Sequence, residues 1–198
     1  MSMKAWWLAF VGGLATLVVI AVVVARIYGP ATSEQAEAPA ESTTPAPVET
    51  AHITATLFFG SADGQGLVPI RRDVPLAGNV VEQGRQILTA QLREAAPPPS
   101  VTVVPEGTTL RAFYVTDQGD AFIDLSPEVV SRHPGGSLNE LLTVYALVNA
   151  VTANLPAARR VQILVDGKEV DTLAGHVDLR RPLTPDTSLV RQAEASGK

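Results

Sequence analysis

The sequence predicts an α+β domain, a small mixed β-sheet with two main helices packed on one face, preceded by a single transmembrane helix. Three observations carry this. Segments rich in β-branched and aromatic residues are separated by turn signals, and two stretches space their apolar residues three and four apart. A run of 21 uncharged residues, Ala5 to Ala25, stands near the amino terminus.

That run, "AWWLAFVGGLATLVVIAVVVA", is long enough as a helix to cross a hydrocarbon core of about 30 Å. It exceeds the apolar region of about 7–15 residues typical of a cleaved signal, and its nearest small-x-small match, Ala36 to Ala38, lies well beyond its end. An uncleaved anchor over 5–27 is therefore expected, behind a short cytoplasmic amino terminus, 1–4. Trp6, Trp7 and Tyr28 stand where interfacial aromatics stand, and Lys4 with the terminal amine outweighs Arg26 as the inside charge. Residues 28–51 form a Pro/Ala/Glu-rich linker. Within it Gly29 to Thr50 holds four Pro, four Glu and no Lys or Arg, a composition that buries no core and stays disordered. The expected location is the cell (inner) membrane, single-pass, with the carboxy-terminal domain extracytoplasmic or periplasmic.

Composition narrows the chemistry further. The chain has no Cys, which excludes disulfides, thiol catalysis, Cys-ligated zinc and lipid attachment through an amino-terminal Cys. Between His52 and Leu183 there are 11 Lys and Arg against 14 Asp and Glu. No basic stripe exists there, and nucleic acid is not an expected partner.

After the linker, "HITATLFFG" and "GLVPIRRDVPL" read as two strands joined through the turn-prone "SADGQG". Pro69 and Pro75 put the second at a sheet edge, because proline has no N–H for an interior ladder. Asn79, with Glu82 three residues on, opens a helix from about Val80 to Leu92, with Val80, Gly84, Ile87, Leu88 and Leu92 at helical spacing. "APPPS", Ala96 to Ser100, stops it. "TLRAFYVTDQGDAFIDL" is a hairpin turning over Asp117 to Asp120 with Gly119 at positive φ. In "SPEVVSR" Ser126 is the expected N-cap and Pro127 the first residue of a short helix that "HPGG" halts. "SLNELLTVYALVNAVTANLP" is the longest helix, about Leu138 to Asn154. Ser137 and Glu140 there match an S-x-x-E capping box, and Leu138, Leu141, Leu142, Tyr145, Val148 and Val151 form one stripe. Pro156 ends it, and "RRVQILVDG" is a strand with apolar residues on both faces, turned at Asp166-Gly167. Residues 184–198 lack periodicity and read as a disordered tail, which leaves 52–183 as the domain.

Asp166, Glu169 and Asp171 with His176 and Asp178 form the densest group for a metal or for acid–base work. A metal needs three or more converging ligands, however, and a turn followed by a solvated return strand does not supply them, so a structural histidine is the simpler reading. Nucleophilic catalysis lacks its context. Ser137, close to His133, is explained as a helix cap, and no G-x-S-x-G elbow exists. Asp117, Asp120 and Asp124 miss the calcium-loop spacing, and Asp124 is expected on the outer face of the hairpin. His52 and His133 are isolated and expected to face solvent. Arg71, Arg72, Arg180 and Arg181 could meet an anionic polymer or lipid headgroups, against the commoner role of charged edges that discourage strand pairing.

The strings "LFFGSADGQGLVPIRRDVPL", "VVPEGTTLRAFYVTDQGDAFIDLSPEV" and "GGSLNELLTVYALVNAVTANLPAARRVQILVDGKEVDTLAGHVDL" together resemble the GerMN domain family of sporulation and spore germination. The resemblance spans about Thr54 to Pro182, with "PEGT", "AFIDLS", the S-x-x-E-L-L helix start and the Asp166, Gly167, Gly175, His176, Asp178 segment as its more specific pieces. It implies a core similar to the ring-building motifs of secretion systems, a role in assembling an envelope complex, and no catalytic residue or cofactor. The chain departs from the family's lipid-anchored tandem form in carrying one such domain, a predicted membrane helix and no Cys.

The expected function is a membrane-tethered extracytoplasmic interaction or scaffold module without enzymatic activity. Its expected partners are envelope or membrane proteins, further copies of itself, and the membrane through the amino-terminal helix. Two other readings stand behind it: a cell-wall polymer or anionic-lipid binder through the four arginines, and a hydrolase using His176 with Asp178 or Asp171.

Overall fold

The computed structural model describes residues 51–191. The expected membrane anchor, the linker up to Thr50 and residues 192–198 lie outside the described residues. Among the described residues no helix is long and apolar enough to cross a membrane.

Two strands open the domain, β1 (His52–Gly60) and β2 (Leu67–Pro75), followed by helix α1 (Val80–Arg93). The hairpin β3 (Leu110–Val115) and β4 (Asp120–Leu125) comes next, then the short α2 (Glu128–Ser131), the long α3 (Ser137–Asn154), β5 (Arg160–Val165) and the two-residue β6 (Lys168–Glu169). The strands make two sheets, an antiparallel β1–β2 pair and a four-stranded sheet in the order β3-β4-β5-β6. The second is mixed, because β4 and β5 run parallel while the flanking pairs are antiparallel. The α+β class and a mixed sheet are therefore present, but the single sheet expected from sequence divides in two.

The division has a local cause. On the side of β1 away from β2, the Phe58 N–H donates to Gln91 Oε1 and the Phe58 carbonyl accepts from Gln91 Nε2, each at 2.8 Å. Asn154 does the same for Thr56, again at 2.8 Å in both directions, and Gly60 exchanges backbone bonds with Val101. Each side-chain amide presents one donor and one acceptor, as a neighbouring peptide would, so two helices take the place of a third strand. No other strand can then join that edge.

Along the four-stranded sheet the side-chain alternation is regular. Phe113, Ala121, Ile123, Leu125, Val161, Ile163 and Val165 are buried on the face that α1 and α3 cover. Gly84 of α1 lies directly against the Phe113 ring, close enough that any Cβ there would collide with it. α1 buries Gln83, Gly84, Ile87, Leu88 and Gln91, whereas Val80 and Val81, counted in the expected stripe and its flank, are exposed.

α3 is covered on two sides rather than one. Val144, Leu147, Val148 and Val151 enter the main core, while Leu142, Ala146 and Ala150 pack in a second cluster with Phe58 and Leu67. Leu189 and Val190 close that second cluster from the carboxy-terminal side. Asn149 pairs with the backbone of Asp186 in both directions, and the Leu67 peptide bonds Leu189 and Arg191. Residues 184–191, read from sequence as disordered tail, thus complete the burial of α3. Their short irregular backbone carries no periodicity, because its partners are distant in sequence.

Candidate functional site

The expected capping box at the start of α3 does not form. Gly136, at φ 87°, is the N-cap, and Ser137 is the first helical residue without a capping bond. Glu140 turns inward and has no solvent exposure. Its Oε1 accepts the N–H groups of Leu173 at 2.8 Å and Ala174 at 2.9 Å, and its Oε2 accepts the N–H of His176 at 2.8 Å. The His176 Nδ1 lies 3.2 Å from the same Oε2. An ionised carboxylate only accepts, so Nδ1 carries the proton.

A buried carboxylate is costly unless its oxygens are fully bonded. Burial alone would raise the Glu140 pKa. The backbone N–H groups of Ala174, His176, Leu173 and Val177 outweigh that and hold it below its ordinary value. Glu140 therefore acts as an anionic peg around which residues 173–177 wrap, and the geometry gives that segment a fixed shape without regular secondary structure.

The segments around this peg are braced in turn. Asp166, at φ 53°, and Gly167, at φ 74°, form the turn between β5 and β6. The Gly167 N–H donates to Asp124 Oδ1 at 2.8 Å, and Arg111 bridges Asp124 and Asp166 at 3.3 and 3.1 Å. Asp124 lies on the face opposite the core residue Ile123, as expected, but these partners bury it there. Gly175, at φ 94°, bends the chain one residue before His176, and its N–H donates to Thr172 Oγ1. Leu179 donates its N–H to the Asp171 carbonyl, closing the loop.

Asp178 turns away from His176. It holds Arg180 through two side-chain bonds and the Arg180 N–H, which keeps its carboxyl well below the usual carboxylate range. Asp166, Glu169, Asp171 and Asp178 are exposed, and among the described residues no three acidic or histidine side chains converge as a metal site would need. Arg72 pairs with Glu94 at 2.8 Å and Arg180 with Asp178 at 2.7 Å, so two of the four arginines weighed for an anionic ligand are engaged within the chain.

His133, expected to face solvent, is half-buried. The Thr143 hydroxyl donates to the Val103 carbonyl at 2.6 Å, so it accepts from His133 Nε2 at 3.3 Å. His133 Nδ1 accepts the Gly135 N–H at 3.0 Å. Only the neutral ring satisfies both partners, and burial pushes its pKa below 6.5 against the opposing pull of Glu140 and a bond at Asn139. Ser126 also shifts from its expected role. Pro127 is the N-cap of α2, and Ser126 Oγ accepts the Thr109 N–H.

What sequence reasoning missed is Glu140 itself. Its only signal was ambiguous, since an S-x-x-E spacing serves equally for a cap and for an inward acid one turn into a helix.

Residues 56–171 match the family model described as Germane, sporulation and spore germination, a span that includes Glu140 but ends before Gly175 to Asp178. No curated protein matches the chain. Among solved structures, the first GerMN domain of the sporulation protein GerM from Bacillus subtilis is 17% identical, covering 67% of this chain and 97% of that one at a TM-score of 0.52. The tandem GerMN domains of the same protein give 16% identity, 69% and 46% coverage and a TM-score of 0.50. A candidate lipoprotein from Clostridium perfringens is 25% identical over 67% of this chain and 87% of its own, at a TM-score of 0.49. The match over more than half the chain identifies it as a member of the Germane family of sporulation and spore germination domains.

Proposed function

We propose that this chain is a membrane-tethered, extracytoplasmic interaction module that assists assembly of an envelope complex. The observation that carries the reading is the use of Glu140. The most deeply buried ionisable group of the domain is bonded by backbone N–H groups, and its energy goes into shaping the 173–177 segment. Such a peg produces a rigid surface, the requirement of a scaffold. Family membership supplies the sporulation and germination setting, and the 21 uncharged residues from Ala5 to Ala25 supply the tether. The 22 residues from Gly29 to Thr50 would have a root-mean-square reach of about 26 Å as a flexible coil, enough for a search close to the membrane.

In-cell crosslinking of the full chain followed by affinity recovery tests the proposal. Envelope proteins are expected among the crosslinked products. Recovery at the level of an untagged control, with the chain itself well expressed, rejects it.

A further inference from the structure

Six large hydrophobic side chains stand exposed among the described residues, and three of them fall in one short stretch, "LAGNVV". Leu76 is 54% exposed, Val80 44% and Val81 37%, with Ala77, Gly78 and Asn79 between. The backbone holds this stretch firmly. Asn79 Oδ1 caps α1 by accepting the Glu82 N–H at 2.8 Å, and the Ala77 N–H donates to Gln83 Oε1 at 2.8 Å. Three apolar side chains are thereby kept outward on an ordered turn, at a hydration cost that burying them elsewhere would remove.

Their position in the fold adds a second observation. The Leu76 N–H donates to the Ala51 carbonyl at 2.7 Å, and Ala51 is where the chain enters the domain from the linker. A groove of about 410 Å³ with a mixed polar and apolar lining begins beside Val80 and Val81 and runs past Val115, Thr116, Asp117 and Pro156 to Arg159. Arg159 forms no ion pair among the described residues and lies along Gly119, where its aliphatic stem covers the turn. An apolar tip and a cation with an apolar stem meet across this groove at the end of the domain joined to the tether. Apolar side chains that enter an acyl boundary, beside a guanidinium at headgroup phosphate level, fit an interfacial lipid contact.

We propose that this end of the domain seats on the lipid surface, with Leu76, Val80 and Val81 inserted at the acyl boundary and Arg159 on headgroup phosphate. The proposal rests on the tethered reading above. A linker of this length lets the domain reach the bilayer with its entry end foremost. The Asp166-Gly167 turn, at the far end of β5, then faces away from the membrane and stays open to protein partners.

The chain has no Cys, so single-cysteine labelling is clean. Full-length Val80→Cys and Glu169→Cys, each carrying an environment-sensitive fluorophore, are reconstituted in phosphatidylcholine–phosphatidylglycerol vesicles with and without a lipid-borne quencher. The Val80 label is expected to shift to the blue and to be quenched severalfold more than the Glu169 label. Adding Leu76→Gln and Val81→Gln should reduce that quenching towards the Glu169 level while leaving the melting temperature unchanged. Equal quenching at both positions in vesicle-bound protein overturns this proposal and leaves the tether standing. A blue shift at Val80 without lipid quenching overturns it, because the label is then shielded by protein and not by lipid. Failure of the full chain to float with vesicles overturns the tethered reading and this proposal together.

Discussion

Glu140 is a charged side chain without solvent contact, and its stability depends on the backbone N–H groups aimed at it, those of Leu173, Ala174 and His176 at 2.8–2.9 Å. Glu140→Ala leaves those donors without a partner, and a loss of about 1–3 kcal/mol is expected for each one left unsatisfied. Glu140→Gln keeps the shape but puts an amide N–H against the His176 N–H, at a cost of about 1–3 kcal/mol for the unsatisfied groups. Urea denaturation of the three proteins measures both, and a Gln variant as stable as the parent would show that the charge is not needed. His133 poses the opposite problem, because its neutral ring accepts from Gly135 through Nδ1. Protonating Nδ1 turns that bond into a clash of two donors.

At the scale of elements, the side-chain amides decide which strand meets which. Gln91→Leu retains the bulk at α1 but strands the N–H and C=O of Phe58, and about 1–3 kcal/mol should be lost for that buried peptide. Its amide hydrogen, measured by exchange, should lose protection at Phe58 before residues of β4 or β5 do. α1 also needs the absence of a side chain at Gly84, where the Phe113 ring leaves no space for a Cβ. Gly84→Ala gains helix propensity of up to about 1 kcal/mol. Overpacking against a buried ring costs typically 1–3 kcal/mol, so net destabilisation is expected in a thermal melt.

For the whole molecule, acid should act in two stages. The folded pKa of His133 lies below 6.5, so its neutral form imposes no penalty above that pH and costs stability as pH falls from 6.5 towards the lowered value. The folded pKa of Glu140 lies below 4.5, so its stabilisation is complete above 4.5 and is lost as pH falls through the lowered value. A melting temperature followed from pH 8 downward should stay level to about 6.5, decline, and decline further in the range where carboxylates titrate. His133→Gln, neutral throughout, should remove the first stage and leave the second. The carboxy-terminal segment is tested by ending the chain after Leu183. That deletion uncovers Phe58, Leu67 and Leu142 and strips Asn149 of its partner, and about 3–5 kcal/mol should be lost from apolar exposure and hydrogen bonds together. An unchanged melt would mean that residues 184–191 do not hold α3 in solution.

Elements defined by near neighbours were legible in the sequence. Alternation located β1, β-branched and aromatic runs located β3, β4 and β5, three-and-four spacing located α1 and α3, and the Asp-Gly pair located the β5–β6 turn, because each pattern depends on residues within one or two turns of chain. The family was legible for the same reason, since its motifs are short strings. The inward turn of Glu140, the neutral His133, the division into two sheets and the docking of 184–191 were not. Each depends on groups 10 to 124 residues apart that meet only after the chain has folded, as the His133–Thr143, Thr56–Asn154 and Leu67–Arg191 bonds show. A polar side chain in a helix has the same local signature whether it faces water or a distant peptide. Tertiary packing alone decides which, because only there is the cost of an unpaired buried group imposed.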